Sequence, residues 1–388
     1  MRLVIDCFTL TKAEGKSMNV YNVAKNIVEN LSRDMDRTVS VGTSGTAYKN
    51  NIIVLGNKNN REDFDLPGIK FVCVKYNPND KAICRMWEHS LVSLALRKLR
   101  PDRVLFPTGI APVVNGIDSV VIVQDMIPFY YEEYYPGLLN KDGKYNMRRL
   151  LASIRSASSV ITVSEYTKMN IIKYTGVAAD KITVINNGIN NEIEVDESKY
   201  GYAINPEDIR SIATLPEKPY ISALGSILPH KNTEGLVRAY RAYYKLSQNP
   251  MDLVIIGVDN LKQFHIEPQI EKHITYFKYI VKDSDVYNVI KKSKVFLFPS
   301  KQEGFGLAPL EAMVLGVPVV CSDSSSLPEV VGDAALTVDC EDEVDIAQGL
   351  LCMEKEELRK DYIAKGLKNI KRFSWESKIQ EYRKVLLR

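Results

Sequence analysis

No apolar run in this chain comes near the ~20 residues that a membrane-spanning helix requires. A protein that crosses the bilayer on helices is therefore not expected. Histidine is scarce: four residues, widely separated, a pattern that supports no metal centre, and neither a metal nor any other cofactor is expected. The six cysteines (Cys7, Cys73, Cys84, Cys321, Cys340, Cys352) form no CxxC pair and show no regular spacing. They read as thiols in a reducing compartment and not as a disulfide framework. Charge of one sign is barely in excess, at a formal +3, which does not imply a nucleic acid partner. Internal repeats and low-complexity tracts are absent. The opening "MRLVIDCFTL" has a short apolar run broken by Asp6, so it reads as a strand and not a signal peptide. The expected location is the cytoplasm. What is present is the composition of a folded protein, 45% hydrophobic and 26% charged, in 388 residues, room for two or three domains.

Short β-rich runs alternate with helical spacing throughout. "RLVID", "TVSVG" (38–42), "NIIVLG", "IKFVCV", "RVLFP", "SVVIVQD" and "SVITVS" read as strands in the first half, with helices at 21–31 and 86–99. The second half restarts with "YISALG", "DLVIIG", "ITYFKY", "KVFLFPS" and "VPVVCS", and helices are expected at 233–246, 284–292, 309–315 and 344–352. Near-continuous apolar strands separated by helices argue for parallel sheets covered on both faces. Between the halves, 186–219 is polar and irregular. The expected organisation is α/β, with two doubly wound domains at 1–190 and 216–373, a linker at 191–215 and a cleft between the domains. Ligands are expected beyond the carboxyl ends of the strands.

The run "FLFPSKQEGFGLAPLEAMVLGVPVV" (296–320) places a polar loop with two glycines between a strand and a helix, with Glu303 in the loop and Glu311 in the helix. Gly304 and Gly306 let backbone approach a ligand, and the helix beginning near Leu307 presents unpaired N–H groups suited to a phosphate or diphosphate. Carboxylates suit sugar hydroxyls instead. A nucleotide sugar fits this pattern, with its diphosphate at the helix start and hydroxyls at either acid. As a dinucleotide fingerprint "GFGLAP" is weak, because the third small residue is missing, and two solvated acids remain the alternative at this point.

The longer stretch "PSKQEGFGLAPLEAMVLGVPVVCSDSSSLPEVVGDAAL" resembles the signature of the retaining glycosyltransferases of family 4, which have two Rossmann-like domains in the GT-B arrangement. "SALGSILPHKNTEGLVRAY", "ASSVITVSEYTKMNIIKYTGVAADKITVINNGI", "VIVQDMIPF" and "FSWES" are similar to further parts of that family, so the resemblance covers most of 100–388. It implies that Glu303 contacts donor hexose hydroxyls, that Glu311 holds the ribose, and that Gly304, Phe305, Gly306 and Leu307 lie at the diphosphate and sugar. It also implies that Lys231 stabilises the leaving diphosphate, that Gly225 and Ser226 sit under the phosphates, and that Tyr279 and Ile280 meet the base. His230 occupies a place where arginine is common and reads as a loop residue. Gln124, followed by Asp125, stands where relatives carry His-Asp; it does not titrate but still hydrogen-bonds a hydroxyl. Gly15, Lys16 and Ser17 correspond to a Gly-rich loop that approaches the phosphates or the acceptor. Asp283-Ser284-Asp285 matches D-x-D formally but reads as a helix start, as does the acidic run 339–345. A C-terminal helix at about 374–388 is expected to pack back on the first domain.

The resemblance thus implies a metal-independent, retaining transferase that moves a hexose, of mannose or rhamnose type, from a nucleotide sugar to a glycan or polyprenyl-linked acceptor, in bacterial surface polysaccharide assembly. No glycosidase-like carboxylate pair is evident, so front-face transfer is expected. Two basic, part-apolar segments, 85–103 and 138–155, are candidates for resting on an anionic membrane; amphipathic core helices are the alternative. The competing functions are a sugar-nucleotide epimerase and a non-catalytic sugar-nucleotide-binding subunit.

Overall fold

Two parallel sheets organise the chain in the computed structural model, which describes residues 1–12, 18–40, 51–113, 116–190, 193, 195, 201–203, 212–280 and 283–387. The described residues divide into two units, Met1–Gly188 with Trp375–Arg388, and Ile189–Ser374.

The first unit holds strands β1 (Arg2–Asp6), β2 (Asn51–Gly56), β3 (Ile69–Cys73), β4 (Arg103–Phe106), β5 (Asp118–Val123), β6 (Ser159–Thr162) and β7 (Ile182–Val184) in the order β3-β2-β1-β4-β5-β6-β7. Every pairing is parallel. The strands are apolar on both faces because both are covered. On one face Leu3, Ile5, Ile52 and Val54 meet the helix Met18–Ser40 through Tyr21, Ile27 and Leu31. On the other, Val4, Ile53, Val104 and Val121 meet Trp87, Val92, Leu96 and Ile154. The C-terminal helix Trp375–Leu386 belongs to this unit: Trp375, Ile379, Tyr382 and Leu386 recur on one helical face and enter the first cluster. Burying side chains of this size stabilises by about 1.5–3 kcal/mol each.

A short antiparallel pair, β8 (Gly201–Ala203) and β9 (Ile212–Thr214), precedes the second sheet. That sheet contains β10 (Tyr220–Leu224), β11 (Asp252–Ile256), β12 (Ile274–Phe277), β13 (Val295–Phe298), β14 (Val319–Ser322) and β15 (Leu336–Val338), in the order β12-β11-β10-β13-β14-β15 and again all parallel. The helices Thr233–Leu246 and Glu343–Cys352 cover one face, and Asp283–Lys292 lies over the other. In both sheets the chain winds outward from its first strand in one direction and then in the other. The reversal falls between β1 and β4, and between β10 and β13.

The expected strand at 38–42 is not formed at 38–40, which end the helix Met18–Ser40. Extending an existing helix costs little compared with nucleating one, whereas β-propensity depends on sheet neighbours. The edge strands β7 and β15, three residues each, carry no pattern long enough to read in advance. All six cysteines are free thiols. Among the described residues no helix is long and apolar enough to cross a membrane.

Candidate functional site

At the reversal of the second sheet, the chain leaving β10 and the chain leaving β13 meet, as the doubly wound order requires. Gly225 follows β10, its N–H donating to Ile256 O at 2.7 Å. A Cβ there would stand 2.8 Å from Ile255 Cγ2, and one on Gly257 would stand 2.2 Å from Gly225 O. The two loops therefore cross backbone to backbone. Ser226 is tied to the next helix: its N–H donates to Thr233 Oγ1 at 2.9 Å, and that hydroxyl donates to Ser226 O at 2.7 Å.

The turn Pro229–Lys231 then delivers two side chains. Lys231 Nζ lies 2.6 Å from Glu303 Oε1 and 5.1 Å from the centre of the Phe298 ring. The pair is largely enclosed, which lessens solvent screening of its attraction. His230 is buried; burial, reinforced by the Lys231 charge and opposed by Glu303, lowers its pKa to about 4. A neutral imidazole therefore stands beside the ion pair.

The loop after β13 is pinned by groups remote in sequence. Lys301 N–H donates to His230 O at 2.8 Å. Asn232 Nδ2 donates to Pro299 O at 3.1 Å and to Cys340 O at 2.8 Å. Glu303 N–H donates to Ser325 Oγ at 3.1 Å, while the Ser326 hydroxyl is shared between Glu303 O and Phe305 O at 3.1 and 3.0 Å. Phe305 is buried edge-on to Phe373. Gly306, with φ +98, starts the helix Leu307–Val314 without a capping side chain. A Cβ on it would meet Leu327 Cδ2 at 2.5 Å. Further along, Glu311 Oε1 accepts from the Tyr287 hydroxyl at 3.0 Å. The site thus joins one cation, two carboxylates and a helix start, which between them can hold an anion and several hydroxyls.

Of the residues anticipated from sequence, Gly225, Ser226, His230, Lys231 and 303–307 are gathered at this reversal, with Glu311 on the helix that leaves it. Tyr279 is half exposed, and the Ile280 side chain is buried with Phe277 and Val289. Gln124 and Asp125 belong to the first unit. Gln124 Oε1 accepts from Asn187 Nδ2 at 3.0 Å, and Asp125 Oδ1 accepts from Ile127 N–H at 2.9 Å. Gly15, Lys16 and Ser17 lie outside the described residues. Among the described residues no three His, Cys, Asp or Glu side chains gather as a metal site would require. Sequence reasoning missed Asn187, Asn232, Tyr287, Ser325 and Ser326. The run "SDSSSLPE" signals a turn before a helix, but nothing local says that its hydroxyls reach back to Glu303.

Residues 188–369 match the model of the glycosyl transferases group 1, and 47–193 match Glycosyltransferase Family 4. O-antigen chain mannosyltransferase B of Escherichia coli is 32% identical over 269 residues, 67% of each chain. The chain belongs to the group 1 glycosyltransferases. A serotype-specific mannosyltransferase of Escherichia coli, WbdA, is 28% identical to this glycosyltransferase over 267 residues, or 66% of this chain. The match spans only 32% of that relative's length. Among solved structures, Anabaena Alr3699/HepE in complex with UDP and glucose superposes with a TM-score of 0.64 at 16% identity, over 100% of this chain and 99% of that one. The fold of this glycosyltransferase is GT-B.

Proposed function

We propose that the protein transfers a hexose, mannose by preference, from a nucleotide sugar to a hydroxyl of a glycan or lipid-linked glycan, with retention at the anomeric carbon and without a metal ion. The observation that carries this reading is the Lys231–Glu303 pair, 2.6 Å apart at the reversal of the second sheet and beside an uncapped helix start. A bound diphosphate competes for the Lys231 charge and takes the helix N–H groups, and Glu303 is then released to accept from a hexose hydroxyl. Glu311, held by Tyr287, accepts from the ribose. In the reaction the bond from the anomeric carbon to the phosphate oxygen breaks. The bond to the acceptor oxygen forms on the same face, and the acceptor proton passes to the leaving diphosphate. Lys231 and the helix start offset the charge that develops there.

The names of the mannosyltransferase relatives support mannose and a role in surface polysaccharide assembly, and UDP and glucose in the Anabaena protein support a nucleotide-sugar donor. A cytoplasmic chain meeting a lipid-linked acceptor would dock on an anionic membrane surface. In support, Arg97, Lys98 and Arg100 are exposed beside half-exposed Met86 and Leu94.

The test is incubation with UDP-, GDP-, dTDP- and ADP-hexoses and polyprenyl-diphosphate-linked glycans, with products read by mass spectrometry and anomeric configuration by NMR. One donor should give a product of retained configuration at a rate unchanged by EDTA. Lys231→Ala and Glu303→Ala should each lower kcat/KM about 100-fold or more. Unchanged rates in either variant, or release of an epimer without transfer, would overturn the proposal.

A further inference from the structure

Four of the chain's 21 tyrosines fall between 130 and 135, in and just beyond the helix Ile127–Tyr134 of the first unit. That helix begins shortly after β5, at the carboxyl end of a parallel strand, which is the ligand side of such a sheet. Tyr131 is buried, Tyr130 and Tyr135 are half-buried, and Tyr134 is 58% exposed. Their rings form one cluster. Tyr130 lies 4.8 Å from Tyr134 and 5.8 Å from Tyr135 between ring centroids, and Tyr135 meets Tyr131 edge to face at 6.3 Å.

The backbone under the rings is fixed. Asp125 Oδ1 accepts from Ile127 N–H at 2.9 Å, and Met126 O accepts from Phe129 N–H and Tyr130 N–H at 3.0 and 3.2 Å. Phe129 stacks on Tyr174 with centroids 5.2 Å apart. A tyrosine has two side-chain torsions, so rings held this way lose little conformational freedom when a ligand covers them. Helix stability does not account for the cluster. A side-chain pair at i,i+4 contributes only about 0.2–0.5 kcal/mol, and Tyr135 lies past the last helical residue.

The acids between the rings are paired. Glu132 Oε1 lies 3.1 Å from Lys144 Nζ, and Glu133 Oε2 lies 2.7 Å from Lys173 Nζ. With each acid matched by a base, this surface suits an uncharged ligand better than a phosphate or an anionic membrane. An aromatic face carries negative quadrupole density, which attracts the C–H groups on the face of a pyranose. Phenol hydroxyls both donate and accept, as the hydroxyls around a sugar ring require.

We propose that Tyr134 and Tyr130, backed by Tyr135, form a stacking subsite for a neutral sugar of the acceptor glycan. The proposal rests on the glycosyl-transfer reading above and deepens it, by giving the acceptor a place on the helix that follows β5. Tyr134, the most exposed of the four, supplies the ring face, and Tyr130 supports it from one turn earlier in the helix.

The test compares wild type with Tyr134→Ala, Tyr134→Leu and Tyr134→Phe, each shown to fold by thermal melting. Saturation-transfer NMR with short α-linked manno-oligosaccharides, in the absence of donor, reads binding alone. Transfer assays then give KM for the acceptor and for the donor separately. Tyr134→Ala and Tyr134→Leu should each weaken oligosaccharide binding and raise the acceptor KM by about 10-fold, with the donor KM as in wild type. Tyr134→Phe keeps the ring and should stay within about 2-fold of wild type. If wild type transfers hexose but Tyr134→Ala keeps its acceptor KM and oligosaccharide affinity, the subsite is wrong and the function stands. Full rescue by leucine would also overturn the subsite, because an aliphatic contact would then suffice. No oligosaccharide binding by wild type overturns it whatever the transfer assays give. If wild type binds the oligosaccharides through Tyr134 but transfers from no donor, the subsite stands and the transfer reading fails.

Discussion

The imidazole of His230 and the carboxyl of Asp6 are both buried, one in each unit, and pH acts on them with opposite sign. His230 titrates near 4 in the folded chain against 6.5 in an unfolded one, because burial and then Lys231 disfavour its charge. The stability that follows is complete above pH 6.5 and lost as pH falls through about 4, on the order of 3 kcal/mol. Asp6 ends β1 and accepts from Trp87 Nε1 at 3.0 and 3.1 Å and from Phe8 N–H at 3.2 Å. Burial outweighs these bonds and raises its pKa from 3.8 to about 7. Its contribution is complete below pH 3.8 and lost as pH rises through 7, on the order of 4 kcal/mol. In urea melts between pH 4.5 and 7.5, His230→Gln should flatten the fall of the second unit's transition on acidification. Asp6→Asn should flatten the fall of the first unit's transition on alkalinisation. Variants that keep the wild-type slopes would show that other groups govern the profile. Glu303 and Glu311 stood out in sequence because they flank a Gly-rich strand–loop–helix turn, and Lys231, in a separate loop, was singled out only by the family resemblance. Asn187, Asn232, Ser325 and Ser326 were not, since asparagine and serine in loops look alike whether they close a turn or reach across a sheet.

At the scale of elements, the crossing of the loops after β10 and β11 is set by one glycine. Gly257 has φ +107, and any Cβ on it would press against Gly225 O at 2.2 Å. That backbone cannot retreat without breaking the Gly225 N–H bond to Ile256 O. Gly257→Ala should therefore cost at least about 3 kcal/mol by urea denaturation. Gly316→Ala, at φ +73 with nothing within 4 Å, should cost only about 1–2 kcal/mol, the conformational penalty alone. Equal losses would mean that close approach is not the constraint. Helix Thr233–Leu246 has the bounds its periodicity predicts, because its amphipathic pattern is long and regular. The segment 38–40 went the other way for the reason that makes short β-rich runs ambiguous: three or four β-branched or apolar residues extend a helix as readily as they start a strand.

For the molecule as a whole, the exposed basic surface of the first unit carries the membrane expectation. Arg85 is already paired with Asp142 at 2.7 Å, which leaves Arg97, Lys98 and Arg100 as the charges to test. Reversing these three to Glu should weaken co-sedimentation with phosphatidylglycerol-containing vesicles by at least about 100-fold, at roughly 1 kcal/mol per charge. Unchanged binding would remove the membrane from the proposed function. The sequence by itself determined the α/β class, the two-sheet plan and the Glu303–Glu311 motif, because hydrophobic period, strand–loop–helix order and loop chemistry are local properties. The tertiary structure alone decided which loops meet. Lys231 reaches Glu303 across 72 residues, and Asn187 reaches Gln124 across 63. It also decided that His230 is buried, and which residues of the last helix, Trp375–Leu386, enter the core of the first unit. Burial and pairing depend on what the parallel strand order brings alongside a residue, and no stretch of chain around that residue encodes its distant neighbours.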